Sequence, residues 1–309
     1  MNIFTAFNDG YVLPTRVMLK SLIMNNTCSL DIFVFYSSLK QESIDAIKRL
    51  EEKDRVSFHF HKVEDAFLDD IKIQGRFSKE TYYRLFAHRL FSEDIERVLW
   101  LDGDMIINGP LDDFYNLDFK GKTFVAVENG GRFCHLNDKK KAVLRMPLDS
   151  TYVNTGVMLF NLKDMREKLN DEDTIRYLAE NQNILELADQ DVFNGLLYEH
   201  FLVVDPKCIY NFFFSRITND NKQEVYANAR VIHYCGMKKP WRYYNPYPAA
   251  DIWWKYAQLA GSEYKRLFRE LYVSNMLLKS KRLTKMCART ILPQSVYNHL
   301  NNTIILRKR

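Results

Sequence analysis

The chain has 309 residues, 47% hydrophobic and 14% aromatic, enough for one large domain or two ordinary ones. Eleven Gly, eight Pro and 27% charged residues exclude a low-complexity or collagen-like chain. The net charge of +5 is unevenly spread: residues 265–309 hold eleven Lys/Arg against one acid, Glu270, leaving the rest at −5, which argues against nucleic acid as a partner.

Residues 2–7 form a short apolar run that stops at the turn cluster Asn8-Asp9-Gly10. A helix is predicted over 13–25, with Pro14 in its first turn where proline is tolerated, and a buried strand over 31–36. Ile44, Ile47 and Leu50 space an amphipathic helix over 41–53; residues 56–61 alternate as a strand. Residues 78–91 read as a helix capped by Ser78, and Arg97-Val98-Leu99-Trp100-Leu101 as an apolar strand ending abruptly in Asp102-Gly103-Asp104. Further strands are expected over 123–128 and 157–161, helices over 174–181 and 190–198, and a helical pattern beyond Pro248 broken at Pro293.

Strands alternating with helices imply an α/β fold with a largely parallel sheet covered on both faces. Ligands of such sheets sit outside the carboxyl ends of the strands, which singles out Asn8–Gly10 and Asp102–Asp104. The apolar runs are strand-sized and no basic, then apolar, leader opens the chain, so neither a transmembrane helix nor a signal peptide is expected. Five scattered Cys without a C-x-x-C pair suit a reducing compartment better than a disulfide framework or a structural zinc site.

Asp102 and Asp104 point the same way if the strand continues through them, and Gly103 between them admits close approach. Paired carboxylates of this kind suit Mg²⁺ or Mn²⁺ bridging to phosphates; an ordinary acidic turn is the competing reading. His233, at the end of a short apolar run, offers an imidazole that would favour Mn²⁺, or is a satisfied half-buried histidine. Lys238 and Lys239 offer phosphate-binding cations or form a solvated loop. Asp189 is a natural helix cap, Asn154-Thr155-Gly156 reads as a turn, and Arg84 as a surface helix residue. Phe212–Phe214 read as core, and His59 and His61 share a strand face without a nearby acid in sequence. No phosphate-binding glycine loop and no serine-hydrolase elbow occurs.

In order along the chain stand Asn8-Asp9-Gly10-Tyr11, Thr81-Tyr82-Tyr83-Arg84-Leu85, Val98–Asp104, Tyr152–Val157, Asp189–Gly195 and His233-Tyr234-Cys235-Gly236 through Lys239-Pro240-Trp241. Together they resemble retaining glycosyltransferase family 8, the group of bacterial lipopolysaccharide galactosyl- and glucosyltransferases. The resemblance implies a GT-A fold over residues 1–262, followed by a basic helical membrane-associating segment over 263–309. It also implies a UDP-sugar donor and Mn²⁺, with Mg²⁺ as an alternative. On this reading Asp102, Asp104 and His233 hold the metal, and Lys239 with the Gly236 backbone holds the diphosphate. Arg84, Asp102, Asn154, Asp189 and Gln190 match positions around the donor sugar, with Gln190 beneath the anomeric carbon. Ala6, Asn8, Tyr11 and Gly103 complete the donor-binding set. Asn8 stands where the family often has an acid, and Gly10 where it often has Asn.

The activity so implied is transfer of glucose or galactose from UDP-glucose or UDP-galactose to a glycan or glycolipid acceptor contacted by residues 130–150. The basic tail is expected to hold the protein to an anionic membrane, at the cytoplasmic face of a bacterial inner membrane. Two other readings stand beside it. One is a nucleotidyltransferase, which would need a basic glycine-rich loop after the first strand. The other is a membrane-tethered sugar-nucleotide-binding module without catalysis.

Overall fold

The structure is a computed structural model that describes residues 1–69, 71, 73, 77–130, 137–205, 211–213, 216–237, 239–242 and 248–291. Lys238, Phe214, the Pro293 break, the tail past residue 291 and part of the 130–150 segment lie outside the described residues. Its first half alternates as the sequence predicts: β1 (Asn2–Ala6), α1 (Val12–Asn25), β2 (Leu30–Tyr36), α2 (Gln41–Lys48), β3 (Val56–Lys62), α3 (Ala87–Leu90), β4 (Arg97–Leu101) and β5 (Met105–Ile107). Then follow α4 (Asp112–Tyr115), β6 (Phe124–Glu128), α5 (Asn137–Val143), β7 (Val153–Asn161), α6 (Leu162–Lys168), α7 (Asp171–Asn181), α8 (Asp189–Leu197) and β8 (Phe201–Val204). The chain closes with β9 (Asn211–Phe213), α9 (Lys222–Asn228), β10 (Val231–His233), α10 (Ala250–Ala260) and α11 (Glu263–Ile291).

Seven strands form one sheet in the order β3-β2-β1-β4-β7-β6-β8. It is mixed: β7 runs antiparallel to both neighbours, while the other adjacent pairs are parallel. Apolar side chains on one face gather around Phe4, Trp100, Phe160 and Phe193, and on the other around Leu19, Ile32, Leu99 and Leu159. Burial on both faces removes large apolar areas from water, which is why β4 and β7 read as near-continuous hydrophobic runs. A small second sheet, β5-β10-β9, stands beside the first; β10 pairs antiparallel with β5, setting His233 opposite Met105. That pairing carries a residue of the C-terminal half to the end of β4.

Three local expectations are corrected. Helix α2 stops at Lys48, and the chain turns through Asp54, whose φ is 61°. Residues 79–86 wind as a 3-10 helix before α3, and Ser78 makes no side-chain cap. Six of those eight residues are buried, including Glu80 and Arg84, so packing on several sides overrides the ordinary α-helical winding. Asn154-Thr155-Gly156 is no turn but lies inside β7, all three residues buried. His59, with no acid nearby in sequence as expected, meets one across the sheet, with Nε2 3.1 Å from Asp31.

A third aromatic cluster ties the C-terminal helices to α1. Trp253 packs against Trp241, Trp254 and Tyr264, and Trp254 against Phe268. Arg16 of α1, 7% exposed, donates to the Ala260 carbonyl at 2.8 Å, pairs with Glu263 and lies over the Tyr264 ring. Tyr264 donates to the Leu13 carbonyl at 2.8 Å. The base of α11 is thereby fastened to the first turns of α1. Farther along, Tyr272, Val273, Met276 and Leu277 are exposed.

Candidate active site

Strand β4 delivers Asp102 to the sheet edge, but the strand does not continue. A turn at 102–104 separates it from β5, and the two carboxylates converge across that turn rather than along a strand. The Asp102 amide is held by the Gly156 carbonyl at 2.9 Å, and the Tyr234 amide by the Asp104 carbonyl at 2.9 Å. Gly103 is required by packing: a Cβ there would run into the Thr15 hydroxyl and come within 3.3 Å of the Tyr11 ring. The glycine thus has a packing reason of its own beside the ligand approach expected from the sequence.

Asp102, Asp104 and His233 each offer one ligand atom, all within 4.8 Å of one another. Asp102 Oδ1 is occupied by Arg84 at 2.9 Å and by the Trp100 indole at 2.8 Å, whereas Oδ2 lies 3.7 Å from His233 Nε2. His233 Nε2 sits 3.1 Å from Asp104 Oδ1, and Lys239 pairs with the other oxygen of Asp104. Lys239 also donates to the Tyr234 carbonyl at 2.6 Å. The donor set of two carboxylates and an imidazole fits Mn²⁺ well and Mg²⁺ less well. The space fits too: a Cβ at Gly156 would strike the His233 ring and come within 2.9 Å of Asp102 Oδ2. Burial raises the affinity of Asp104 for a proton, but the charges of Lys239 and His233 outweigh it and hold the carboxyl well below its usual range. For His233, burial opposes the charged form, and Cys235 with Asp104 reverses that, raising it well above an ordinary histidine.

Arg84, expected on the surface, is 4% exposed and bridges two acids. It pairs with Asp102 and Asp189, donates to the Thr155 carbonyl at 2.6 Å and lies over Trp100. Burial alone would lower its pKa; the two carboxylates raise it, so it stays a cation. Asp189 is not the helix cap. Ala188, with φ 51°, occupies that position, and Asp189 in the first turn turns to Arg84. Burial pushes its carboxyl up to about 6, with Arg84 pulling the other way.

A neutral shelf adjoins this charged cluster. Gln190 lies between Asn154 and Tyr152, accepting from Asn154 Nδ2 at 3.1 Å and donating to the Tyr152 hydroxyl at 3.2 Å. Asn194, fully buried, clamps α8 to β7 through both backbone groups of Val153, at 2.7 and 3.0 Å.

Ala6 ends β1, and Asn8 caps the turn after it, accepting from the Gly10 amide at 3.0 Å. The other end of Asn8 donates to Glu80 at 3.3 Å, and Glu80, 2% exposed, also accepts from Ser37. Tyr11 meets Trp241 edge-on at 6.1 Å. Gly236, with φ +85°, turns the chain after His233 toward Lys239. The structure thus brings Arg84, Asp102, Asp104, Asn154, Asp189, Gln190, His233 and Lys239 into one continuous network. Ala6, Asn8 and Tyr11 follow one another at the end of β1 and in the turn after it. Sequence reasoning missed Glu80, Tyr152 and Lys140. The polar break in the apolar run of β7 is the signal that could have pointed to Tyr152's neighbourhood; Glu80 carries none, because its partners are remote in sequence.

Residues 2–245 match the family model for glycosyl transferase family 8, and the chain belongs to that family. Among curated relatives, the glycosyltransferase GlyF of Streptococcus pneumoniae is 23% identical over 85% of this chain, which spans 62% of GlyF's length. The lipopolysaccharide 1,2-glucosyltransferase of Escherichia coli K12 is 25% identical over 82% of this chain and 76% of its own. A crystal structure of the galactosyltransferase LgtC with donor and acceptor sugar analogues superposes with a TM-score of 0.72 at 22% identity, covering 86% of this chain and all of that one. The fold is therefore the GT-A fold, with a mixed, mostly parallel sheet flanked by helices.

Proposed function

We propose that this family 8 member is a retaining, metal-dependent hexosyltransferase that moves glucose or galactose from a UDP-sugar to a lipopolysaccharide or other cell-surface glycan. The observation that carries the reading is the adjacency of two half-sites. Asp102, Asp104 and His233 converge as a group that could hold a cation, and Arg84 ties Asp102 to Asp189 and to the Thr155 carbonyl, whose own amide faces Gln190. A nucleotide sugar needs both: one half to hold the diphosphate, the other to hold the hexose.

Asp102, Asp104 and His233 would hold Mn²⁺, or Mg²⁺ in its place. When bound, the ion supplies Lewis-acid neutralisation of the departing diphosphate. Lys239, paired with Asp104 here, and the backbone that turns at Gly236 would hold the phosphates. Arg84 fixes one oxygen of Asp102 and leaves the other for the cation. Asp189, Asn154 and Gln190 line the hexose side, and Ala6, Asn8, Tyr11 and Gly103 the nucleotide side. Retention then needs no protein nucleophile if the acceptor attacks the face from which the UDP leaves; an uncharged glutamine is a poor nucleophile in any case. Relatives acting on lipopolysaccharide support a glycan or glycolipid acceptor.

No helix among the described residues is long and apolar enough to cross a membrane. The basic segment from residue 263 onward, with Tyr272, Val273, Met276 and Leu277 exposed on α11, suits peripheral attachment to an anionic cytoplasmic membrane face.

The test is direct. Purified protein with Mn²⁺ and a panel of nucleotide sugars should slowly hydrolyse one UDP-hexose. Failure to bind or turn over any UDP-sugar removes the reading. Deleting residues 265–309 should release the protein from anionic vesicles more than it lowers donor hydrolysis. Equal vesicle binding after truncation would dismiss the tail as the anchor.

A further inference from the structure

The Gln190 carboxamide has almost all of its hydrogen-bonding capacity committed. Oε1 accepts from Asn154 Nδ2 at 3.1 Å and faces the Thr155 amide nitrogen at 3.4 Å, while one Nε2 proton goes to the Tyr152 hydroxyl at 3.2 Å. An amide carries an acceptor end and a donor end of nearly the same shape, so a hydroxyl neighbour, able to do either, leaves its sense undecided. Tyr152 is not free to do either. Its own proton goes to Asp191 Oδ1 at 2.5 Å, so its oxygen has only lone pairs to offer. Burial first, and then the Asp191 charge, raise the phenol well above its ordinary range, so the proton stays on it. Asp191 is 0% exposed and fixed in turn: its second oxygen accepts from the Leu187 amide at 2.8 Å and from Lys140 at 3.1 Å. At the far end of the relay, Asn154 Oδ1 accepts from the Gly156 amide at 3.1 Å, which obliges Nδ2 to face Gln190.

We propose that Asp191 and Tyr152 are positioning residues that lock the sense of the Gln190 amide, so that it offers a ligand one N–H and no oxygen. Gln190 then acts on the bound hexose as a hydrogen-bond donor, and its carbonyl is not available as a nucleophile. Asp191, covered by three donors, works through Tyr152 and does not touch substrate. The proposal rests on the hexosyltransferase reading for its ligand and on the structure alone for the lock.

Tyr152→Phe removes the oxygen and keeps the ring. Donor hydrolysis by the full chain should lose about 10–100-fold in kcat, the scale expected of a misaligned reacting group, with calorimetric UDP affinity within about twofold of wild type. In a Gln190→Ala background the same change should cost no more than about twofold, because the group being positioned is gone. Asp191→Asn, which can reverse the Tyr152 proton, should lower kcat like Tyr152→Phe and covers the case in which that variant fails to fold. A second readout needs no turnover: the Gln190 side-chain NH₂ resonances, assigned by their loss in Gln190→Ala, should shift and broaden in Tyr152→Phe. Unchanged resonances, an unchanged kcat, or an equal loss with and without Gln190 would each overturn the lock. A wild-type protein that turns over no UDP-hexose would instead overturn the functional reading, while the resonances would still decide the lock.

Discussion

The two halves of the site are held by different physics. Around Asp102 and Asp104 the order comes from charge: Arg84, Lys239 and His233 occupy carboxylate oxygens in a buried pocket. Around Gln190 it comes from neutral hydrogen bonds of defined sense, anchored on the backbone of β7. A charged half can exchange partners when a cation or a diphosphate arrives, because an incoming charge replaces the one displaced. A neutral half has no such currency and must be preorganised. The contrast predicts steep responses to lost charges on one side and modest, geometric responses on the other.

Asp104→Ala should abolish the metal-dependent reaction, a loss of about 10³-fold or more, since it removes one of three ligands. Hydrolysis assays across a Mn²⁺ titration check this, and unchanged activity would take Asp104 out of the ligand set. Arg84→Met should leave Asp189 buried without its cation and cost about 3–5 kcal/mol of stability, read from urea midpoints. A stability near wild type would show that Asp189 adapts by taking up a proton. The pH profile probes that same acid. With its carboxyl near 6, Asp189 is protonated below that pH and loses its charge pairing with Arg84, so kcat/KM should fall on the acid side of about pH 6. Asp189→Asn should run at the low acidic level throughout; persistence of the acid limb in this variant would assign the titration elsewhere. On the neutral side, Asn194→Ala should cost only about 1–3 kcal/mol and lower kcat without altering UDP affinity. A change in metal or UDP affinity there would erase the division between the halves.

Strands β1 to β4 and β6 were legible from periodicity, whereas β5, β8 and the first half of β7 were not. Arg97–Leu101 matches β4 at both ends, because a run buried on both faces has no polar residue to blur its limits. From the residues themselves only Asp102, Asp104 and His233 stood out, while Arg84, Asn154, Asp189 and Gln190 entered through the family resemblance. Asp102-Gly103-Asp104 and His233 stand out because clustered ligating groups at strand ends have few structural uses. Asn154-Thr155-Gly156 looks like a turn by composition, yet β4 and β6 pair on either side of it and impose a strand. Arg84 looked solvent-exposed because its partners, Asp102 and Asp189, lie 18 and 105 residues away. Tyr152 stood in the family motif without a role of its own, and only the fold puts its hydroxyl between Gln190 and Asp191.

The fastening of α11 to α1 has a mechanical side. At 1.5 Å per residue the 29 residues of α11 span about 43 Å. Its base is held to α1 by Arg16 and by the hydrogen bond from Tyr264 to the Leu13 carbonyl, and the first turn of α1 carries the Thr15 hydroxyl against Gly103. If the far end of this rod meets a membrane, as proposed, the length of α11 would act as a spacer and set the height and tilt at which the cleft is presented.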